Sequence, residues 1–203
     1  MDFSAADTEL ANLALAHLGA SKPIADLETE NSTEARACRL FYEMARDNTL
    51  RDFLWPFARR QAELDLVEED PTDEWAYSYR YPVDCLYARR LVSGYRVETE
   101  FSRLVFEVAG DDGGQLIYSD EEDAVLEYTV KLTNIATAPK DFQITMSFRL
   151  ASYIAPMVTG GDPYKLGQRA LQMYFSECSV ARANANNEQR KDQPEDTPYI
   201  AAR

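Results

Sequence analysis

Histidine is almost absent from this sequence, and cysteine is scarce. His17 is the only histidine in 203 residues, which removes the usual metal ligand and the usual general base from nearly every possible site. Cys38, Cys85 and Cys178 lie far apart without C-x-x-C spacing, so neither a disulfide framework nor a zinc site is expected. We interpret each cysteine as a small buried hydrophobe in a protein of a reducing cytoplasm.

Long apolar runs are also missing. The longest uncharged apolar stretch, 150–161, is too short to cross a bilayer and contains Pro156. The chain begins Met1-Asp2-Phe3 and shows neither the basic segment nor the apolar segment of a secretory signal. We therefore expect a soluble protein with no membrane partner.

Basic residues are rare in the middle of the chain. The formal net charge is −14, and residues 61–74 hold seven acids and no base, while residues 98–127 hold ten acids and one base, Arg103. Such a surface should not grip nucleic acid, because phosphate binding requires lysine and arginine. Two interpretations stay open: a solvated β surface, and a repulsive wall past which DNA slides. The acidic surface is expected to include Asp120, Glu121, Glu122 and Asp123.

Helical periodicity occupies the two flanks of the chain. Apolar residues recur at helical spacing over about 6–18, from 33 to the Trp55-Pro56 pair, from about 139 to 158, and from 163 to beyond 181. Ser4 with Asp7 and Asp162 before Pro163 are suitable helix starts. Each helix has one broad apolar stripe, as in a bundle of four.

Period-two alternation fills the middle. It covers 61–67, 75–81, 86–92, 104–108, 115–118 and 125–132, with Gly, Asp and Pro turns between the runs. We therefore predict an α+β protein: a four-helix bundle (1–57 and 139–191), an antiparallel acidic β lobe (58–138) inserted between helices 2 and 3, and an extended C-terminal arm (192–203).

Aromatic and arginine residues gather where the second helix meets the predicted lobe. Two interpretations compete, core packing at this junction and direct contact with a partner. The residues of the predicted junction are Arg51, Phe53, Trp55, Phe57, Arg59, Tyr77, Tyr79 and Tyr81.

No catalytic pattern stands out. A nucleophile triad would need His17, and nothing near it resembles a nucleophile elbow. Gly113-Gly114 lies in a hairpin-like turn rather than a phosphate loop. The four consecutive acids at 120–123 lack the calcium-loop pattern. We predict no enzyme activity, no catalytic residue, no metal and no cofactor.

Several motifs resemble a known family, the phage head–tail adaptors, also called connectors or tail tubular protein A. One lies at 12–19 and 24–27. The second helix is the stronger match, with Ala35-Arg36-Ala37-Cys38, Phe41-Tyr42, Arg46-Asp47, Leu50-Arg51 and Trp55-Pro56-Phe57-Ala58-Arg59. A third is Tyr77-Ser78-Tyr79 through Pro82-Val83-Asp84-Cys85-Leu86. Their order and spacing together carry the resemblance.

The resemblance implies a virion neck protein, assembled in the host cytoplasm. It implies a homo-oligomeric ring of about twelve copies beneath the portal protein, above a tail tube or nozzle protein. DNA would pass through the ring without specific binding. The C-terminal arm would contact the portal or a neighbouring subunit through Thr197, Pro198, Tyr199 and Ile200; a frayed terminus is the alternative from composition.

Two other function classes remain. One is a cell-wall hydrolase carried in the virion, which would use acidic side chains. The other is an acidic module that mimics DNA and blocks a host nuclease.

Overall fold

The computed structural model describes residues 3–20, 22–94, 102–160 and 162–188. Within them the chain forms helices α1 (Ala5–His17), α2 (Thr33–Arg51), α3 (Lys140–Val158) and α4 (Pro163–Glu188). The strands are β1 (Arg59–Glu63), β2 (Leu66–Thr72), β3 (Trp75–Arg80), β4 (Cys85–Leu91), β5 (Glu107–Asp111), β6 (Gly114–Ser119) and β7 (Val125–Val130). Short 3-10 turns follow α2 at Pro56–Ala58 and β7 at Ile135–Thr137.

Polar side chains start three of the helices. Ser4 and Asp7 form a reciprocal capping box on α1, as predicted. Ser32 caps α2 by accepting from the Ala35 amide at 3.2 Å. Asp162 accepts from the Lys165 amide at 3.1 Å before Pro163, which confirms the predicted start of α4.

Gly167 allows α4 to lie close to α3. A Cβ at this position would sit 3.2 Å from the Ser152 carbonyl oxygen and 3.4 Å from the Ala155 Cβ. Pro156 lies four residues after Ser152 inside α3 and has no N–H to bond that carbonyl. A larger residue than glycine would therefore push the two helices apart at this crossing.

The strands form two antiparallel sheets. The three-stranded sheet has the order β1-β7-β4, and the four-stranded sheet has the order β2-β3-β6-β5. Both sheets contribute to one apolar cluster, with Tyr79 and Ile117 from the four-stranded sheet and Leu91, Leu126 and Tyr128 from the three-stranded sheet. The strand region therefore has a core of its own, separate from the larger helical core.

The predicted strand at 61–67 is wrong in one respect. The run is divided between β1, which pairs with β7, and β2, which pairs with β3 in the other sheet. The division occurs at Leu64 and Asp65, where the Leu64 amide bonds to the Ala124 carbonyl and the Asp65 carbonyl accepts from Arg80. Alternation identifies an extended chain but not the sheet to which it belongs.

The predicted fold class, a four-helix bundle with one inserted β lobe, is wrong. Four helices, at both ends of the chain, accompany seven strands in two sheets. The principal helix–helix contacts converge on α3, while α1 and α2 touch only slightly and α4 packs mainly on α3. Stripe width shows that a helix is buried on one side, but not which helices share a neighbour.

The predicted arm at 192–203 lies outside the described residues. Among the described residues, none of the four helices combines the length and the hydropathy that a bilayer span requires.

Candidate functional site

Trp55 lies at the centre of the helical core, just after α2. Its side chain is 2% exposed, and its indole N–H donates to the Thr49 carbonyl at 2.8 Å. Its ring meets Phe53 edge-on at 5.3 Å and Phe142 of α3 at 5.1 Å. Phe57 extends this cluster, 5.0 Å from Phe142. These residues serve core packing, the first of the two predicted interpretations.

The predicted tyrosines belong to the other core. Tyr79 is 2% exposed between the sheets, with Tyr77 and Tyr81 packed around it. The Tyr81 hydroxyl accepts from the Ala88 amide at 3.1 Å. The structure thus places the predicted junction residues in two separate clusters, Phe53, Trp55 and Phe57 in one and the tyrosines in the other.

Arg89, which the sequence analysis missed, joins the two parts. From β4 its Nη2 atom donates to the carbonyls of Leu50 (2.9 Å), Arg51 (3.0 Å) and Phe53 (2.9 Å). Its Nε atom donates to Thr129 Oγ1 of β7 at 2.9 Å. A guanidinium at a helix C-terminus satisfies carbonyls that lack helical partners and interacts favourably with the helix dipole. Nothing in the spacing of the chain indicates this pairing.

A second missed group surrounds Asp52, the residue after α2. Its carboxylate accepts from Arg149 of α3 at 2.7 Å and from the Tyr174 hydroxyl of α4 at 2.5 Å. Arg149 also donates to Tyr174 at 2.8 Å, and Arg182 donates to the Asp52 carbonyl at 2.7 Å. Burial, followed by the hydrogen bond to Asp52, raises the pKa of the Tyr174 phenol. The group therefore fastens the end of α2 to α3 and α4.

Arg59, the remaining arginine of the prediction, flanks a buried carboxylate. Glu127 on β7 has a side chain that is 1% exposed and lies 3.8 Å from Arg59 and 2.9 Å from Arg90. Gln61 donates to it at 2.8 Å. Burial raises the pKa of Glu127, but the hydrogen bonds from Arg90 and Gln61 and the charges of Arg90 and Arg59 together outweigh it, and the pKa is lowered overall. A charged carboxylate held this way suits a structural ion pair rather than proton transfer.

The four predicted acids form the turn between β6 and β7. Asp120, Glu121, Glu122 and Asp123 are all exposed. The Tyr79 hydroxyl donates to the Glu121 and Glu122 carbonyls from below. The Asp120 carboxylate accepts from the Ala76 amide at 3.1 Å, and the Glu121 amide donates to Ser119. The turn is thus held by its backbone and by the Asp120 carboxylate, while the carboxylates of Glu121, Glu122 and Asp123 lie in solvent.

The wider acidic surface belongs to the four-stranded sheet and its turns. Residues 66–80 and 107–123 together hold twelve acids and one base, Arg80, and every one of these acids is exposed. Arg80 is paired with Asp111 at 2.9 Å. The acidity predicted for the middle of the chain is therefore concentrated on one sheet.

His17 and two of the three cysteines lie in packed surroundings. His17 stacks on Phe148 at 3.7 Å and lies 3.0 Å from Ser147 Oγ, and burial lowers its pKa. Burial raises the pKa of Cys38 to about 12 and that of Cys85 to about 11, so both thiols stay protonated. The described residues contain no group of three His, Cys, Asp or Glu placed to hold a metal ion.

A surface cleft of about 440 Å³ lies beside His17, and Phe148, Arg169 and Met173 line it. No carboxylate lines this cleft, so it gives no support to an acid-based hydrolase. The predicted contact residues of the arm, Thr197, Pro198, Tyr199 and Ile200, lie outside the described residues.

Neither models of known protein families nor curated protein sequences match this chain.

Proposed function

We propose that this chain is a structural subunit of a tailed-phage virion, the head-to-tail adaptor. In this proposal about twelve copies form a ring beneath the portal and join the capsid to the tail around the DNA channel. The subunit has no enzymatic activity and no cofactor, and DNA passes through the ring without specific binding.

The observation that carries the proposal is a set of exposed apolar side chains along α4. This helix packs mainly on α3, yet it exposes large apolar side chains: Tyr164 (76%), Phe175 (60%) and Val180 (55%). Exposed apolar side chains along one helix favour contact with another protein. A subunit of a permanent ring needs such a surface for its neighbours.

The acidic sheet supports the second half of the proposal. Twelve acids against Arg80 alone give this surface a strongly negative potential. A surface of this sign repels the phosphate backbone and therefore leaves DNA free to move through a channel.

The residues that carry the family resemblance also build the two cores and the joint between them. Trp55 and Ala58 are buried in the helical core. Asp84 accepts from Tyr128 at 2.9 Å and from Arg60 at 2.6 Å, next to the start of β4. A motif set that maintains the fold, without a reactive centre, agrees with a structural subunit.

A second candidate function is a DNA mimic, and the acidic sheet favours it as well. A mimic would act as a free monomer or dimer that competes with DNA for a protein. An adaptor would add to portal rings. The same preparation of the protein can be tested for both.

The test is reconstitution with the portal protein of the same virion. We expect the purified chain to add a ring below the portal, visible in negative-stain micrographs, and to be present in purified particles by mass spectrometry. Failure to bind the portal together with competition against DNA for a nuclease would favour the mimic. Turnover of purified peptidoglycan, lost on substitution of a single carboxylate, would favour the hydrolase.

A further inference from the structure

An exposed tyrosine lies between two arginines where α2 meets the three-stranded sheet. Tyr87 on β4 is 40% exposed. The Arg89 guanidinium lies 4.6 Å from its ring centroid and that of Arg51 lies 5.4 Å from it. We call Arg51, Tyr87 and Arg89 the basic patch. Contact with the ring restricts both guanidinium groups. Less side-chain entropy is therefore lost when a partner binds to them.

Among the described residues, no carboxylate forms an ion pair with either arginine of the basic patch, although Asp52 attracts Arg89 from nearby. Arg89 uses its donors on neutral acceptors, the carbonyls at the end of α2 and the Thr129 hydroxyl. Arg51 is exposed, and its guanidinium lies against the Tyr87 ring. A fixed cationic and aromatic patch on a chain of net charge −14 is a site for an acidic partner.

The turn at 120–123 has the properties that such a partner needs. It presents four consecutive carboxylates in solvent. Its backbone is held by the Tyr79 hydroxyl, and the Asp120 carboxylate accepts from the Ala76 amide with one oxygen. The turn of four acids is complementary in charge to the basic patch. Because its backbone is already ordered, little conformational entropy is lost when it binds.

The two surfaces do not meet within one molecule. Tyr87 pairs with Thr129 on β7, whereas the acidic turn precedes the opposite end of β7 at Val125. Thr129 lies six positions after Asp123 along a mostly extended segment, roughly 20 Å away. Contact between them therefore requires a second copy, and because the two surfaces differ, the contact runs head to tail and can close a ring.

We propose that adjacent copies of this chain associate head to tail, with the acidic turn Asp120–Asp123 of one copy on the Arg51–Tyr87–Arg89 patch of the next. The proposal rests on the ring assembly proposed above and assigns one of its contacts. Nucleic acid is the less favoured occupant of the patch, since the acidic sheet repels it.

The test compares charge reversals by sedimentation velocity over a concentration series. Arg51→Glu changes an exposed side chain, and Glu121→Lys with Glu122→Lys changes two exposed side chains of the turn. The matched control for the turn variant is Glu68→Lys with Glu69→Lys, which alters the net charge by the same amount on an exposed part of β2. We expect each test variant to weaken self-association by about tenfold or more, and the control to leave it nearly unchanged.

Mixing the two charge-reversed variants is the decisive experiment. The Arg51→Glu chain and the Glu121→Lys/Glu122→Lys chain each carry one reversed surface, so a mixture should regain the association that neither shows alone. Raised salt should weaken the wild-type association, because these contacts are exposed.

Three results would overturn the proposal: no self-association of the wild-type chain, equal loss in the control, or no recovery on mixing. Binding of a DNA duplex that Arg51→Glu removes, with self-association unchanged, would assign the patch to nucleic acid instead. The proposed function is judged separately by the presence of the wild-type chain in particles, so its failure and that of this contact are distinguishable.

Discussion

Arg89 on β4 donates from Nη2 to the carbonyl oxygen of Leu50, in the last turn of α2, at 2.9 Å. The same atom reaches the Arg51 and Phe53 carbonyls, and Nε reaches Thr129 on the neighbouring strand. One side chain thus ties the end of a helix to a sheet, and the relative position of the helical core and the strands depends on it.

Replacement of Arg89 should loosen this joint. Arg89→Ala leaves three carbonyls at the end of α2 without their donor, and we expect a loss of about 2–4 kcal/mol in the free energy of unfolding. Arg89→Lys should recover only part of it, because an ammonium cannot span carbonyls and Thr129 together. Urea denaturation measures both variants.

The matched control is Arg51→Ala, which removes an exposed guanidinium from the other side of Tyr87. We expect it to change the stability by less than about 1 kcal/mol. Equal losses for Arg51→Ala and Arg89→Ala would show that the carbonyl contacts are unimportant.

Trp55 should be among the most sensitive positions of the helical core. Trp55→Ala removes a ring that contacts Phe53 and Phe142 and leaves a cavity, so we expect a loss of about 3–5 kcal/mol. Trp75 on β3 is the control, because it is only partly buried and its indole bonds to an exposed carboxylate, that of Glu107. Trp75→Ala should cost clearly less in thermal denaturation.

Glu127 should make stability depend on pH. Burial raises the pKa of this carboxyl, but the hydrogen bonds from Arg90 and Gln61 and the charges of Arg90 and Arg59 together lower it in the folded chain. The folded state therefore binds fewer protons than the unfolded state, in which the pKa is about 4.3. The stabilisation is complete above that value and is lost as the pH falls through the folded pKa.

Glu127→Gln should remove this contribution and flatten the stability profile below about pH 5. Denaturation midpoints of the variant and of the wild type, measured from neutral pH to about pH 3, provide the comparison. If the stability of the Glu127→Gln chain falls with pH as steeply as that of the wild type, the acid sensitivity belongs to other carboxylates.

The elements were largely accessible from sequence, but their arrangement was not. Ser4, Asp7, Asp162 and Pro163 act locally, and the helix starts that they predicted are confirmed. Strand pairing depends on contacts between distant residues. Both β1 and β4 pair with β7, and the paired residues lie more than thirty-four positions apart in the sequence. Alternation alone does not specify such partners. The sequence therefore predicts a single lobe where the structure has two sheets with a common core.

The candidate surface shows the same limit. Arg51 was identified because it stands beside aromatic residues in the sequence, whereas Tyr87 and Arg89 have no local signal. They acquire their role because β4 passes the end of α2, where the Arg89 guanidinium meets carbonyls from residues more than thirty positions earlier. The acids at 120–123 were predicted to be exposed. The hydrogen bond from the Tyr79 hydroxyl to the backbone of this turn could not be predicted, because it depends on the position of β3 beside the turn.

Removal of residues 192–203 tests the proposed arm. The members of the helical core run from Leu10 to Ala181 and those of the inter-sheet core from Tyr79 to Tyr128, so the shortened chain should keep its circular dichroism spectrum and its denaturation midpoint. Its binding to portal rings should weaken, because each arm adds one contact and later contacts form at high effective concentration. A chain in which Tyr199→Ser and Ile200→Ser replace the apolar end, at unchanged length, is the matched control for reach. If both chains bind the portal as tightly as the wild type, the arm has no part in docking, and the exposed face of α4 becomes the surface to vary next.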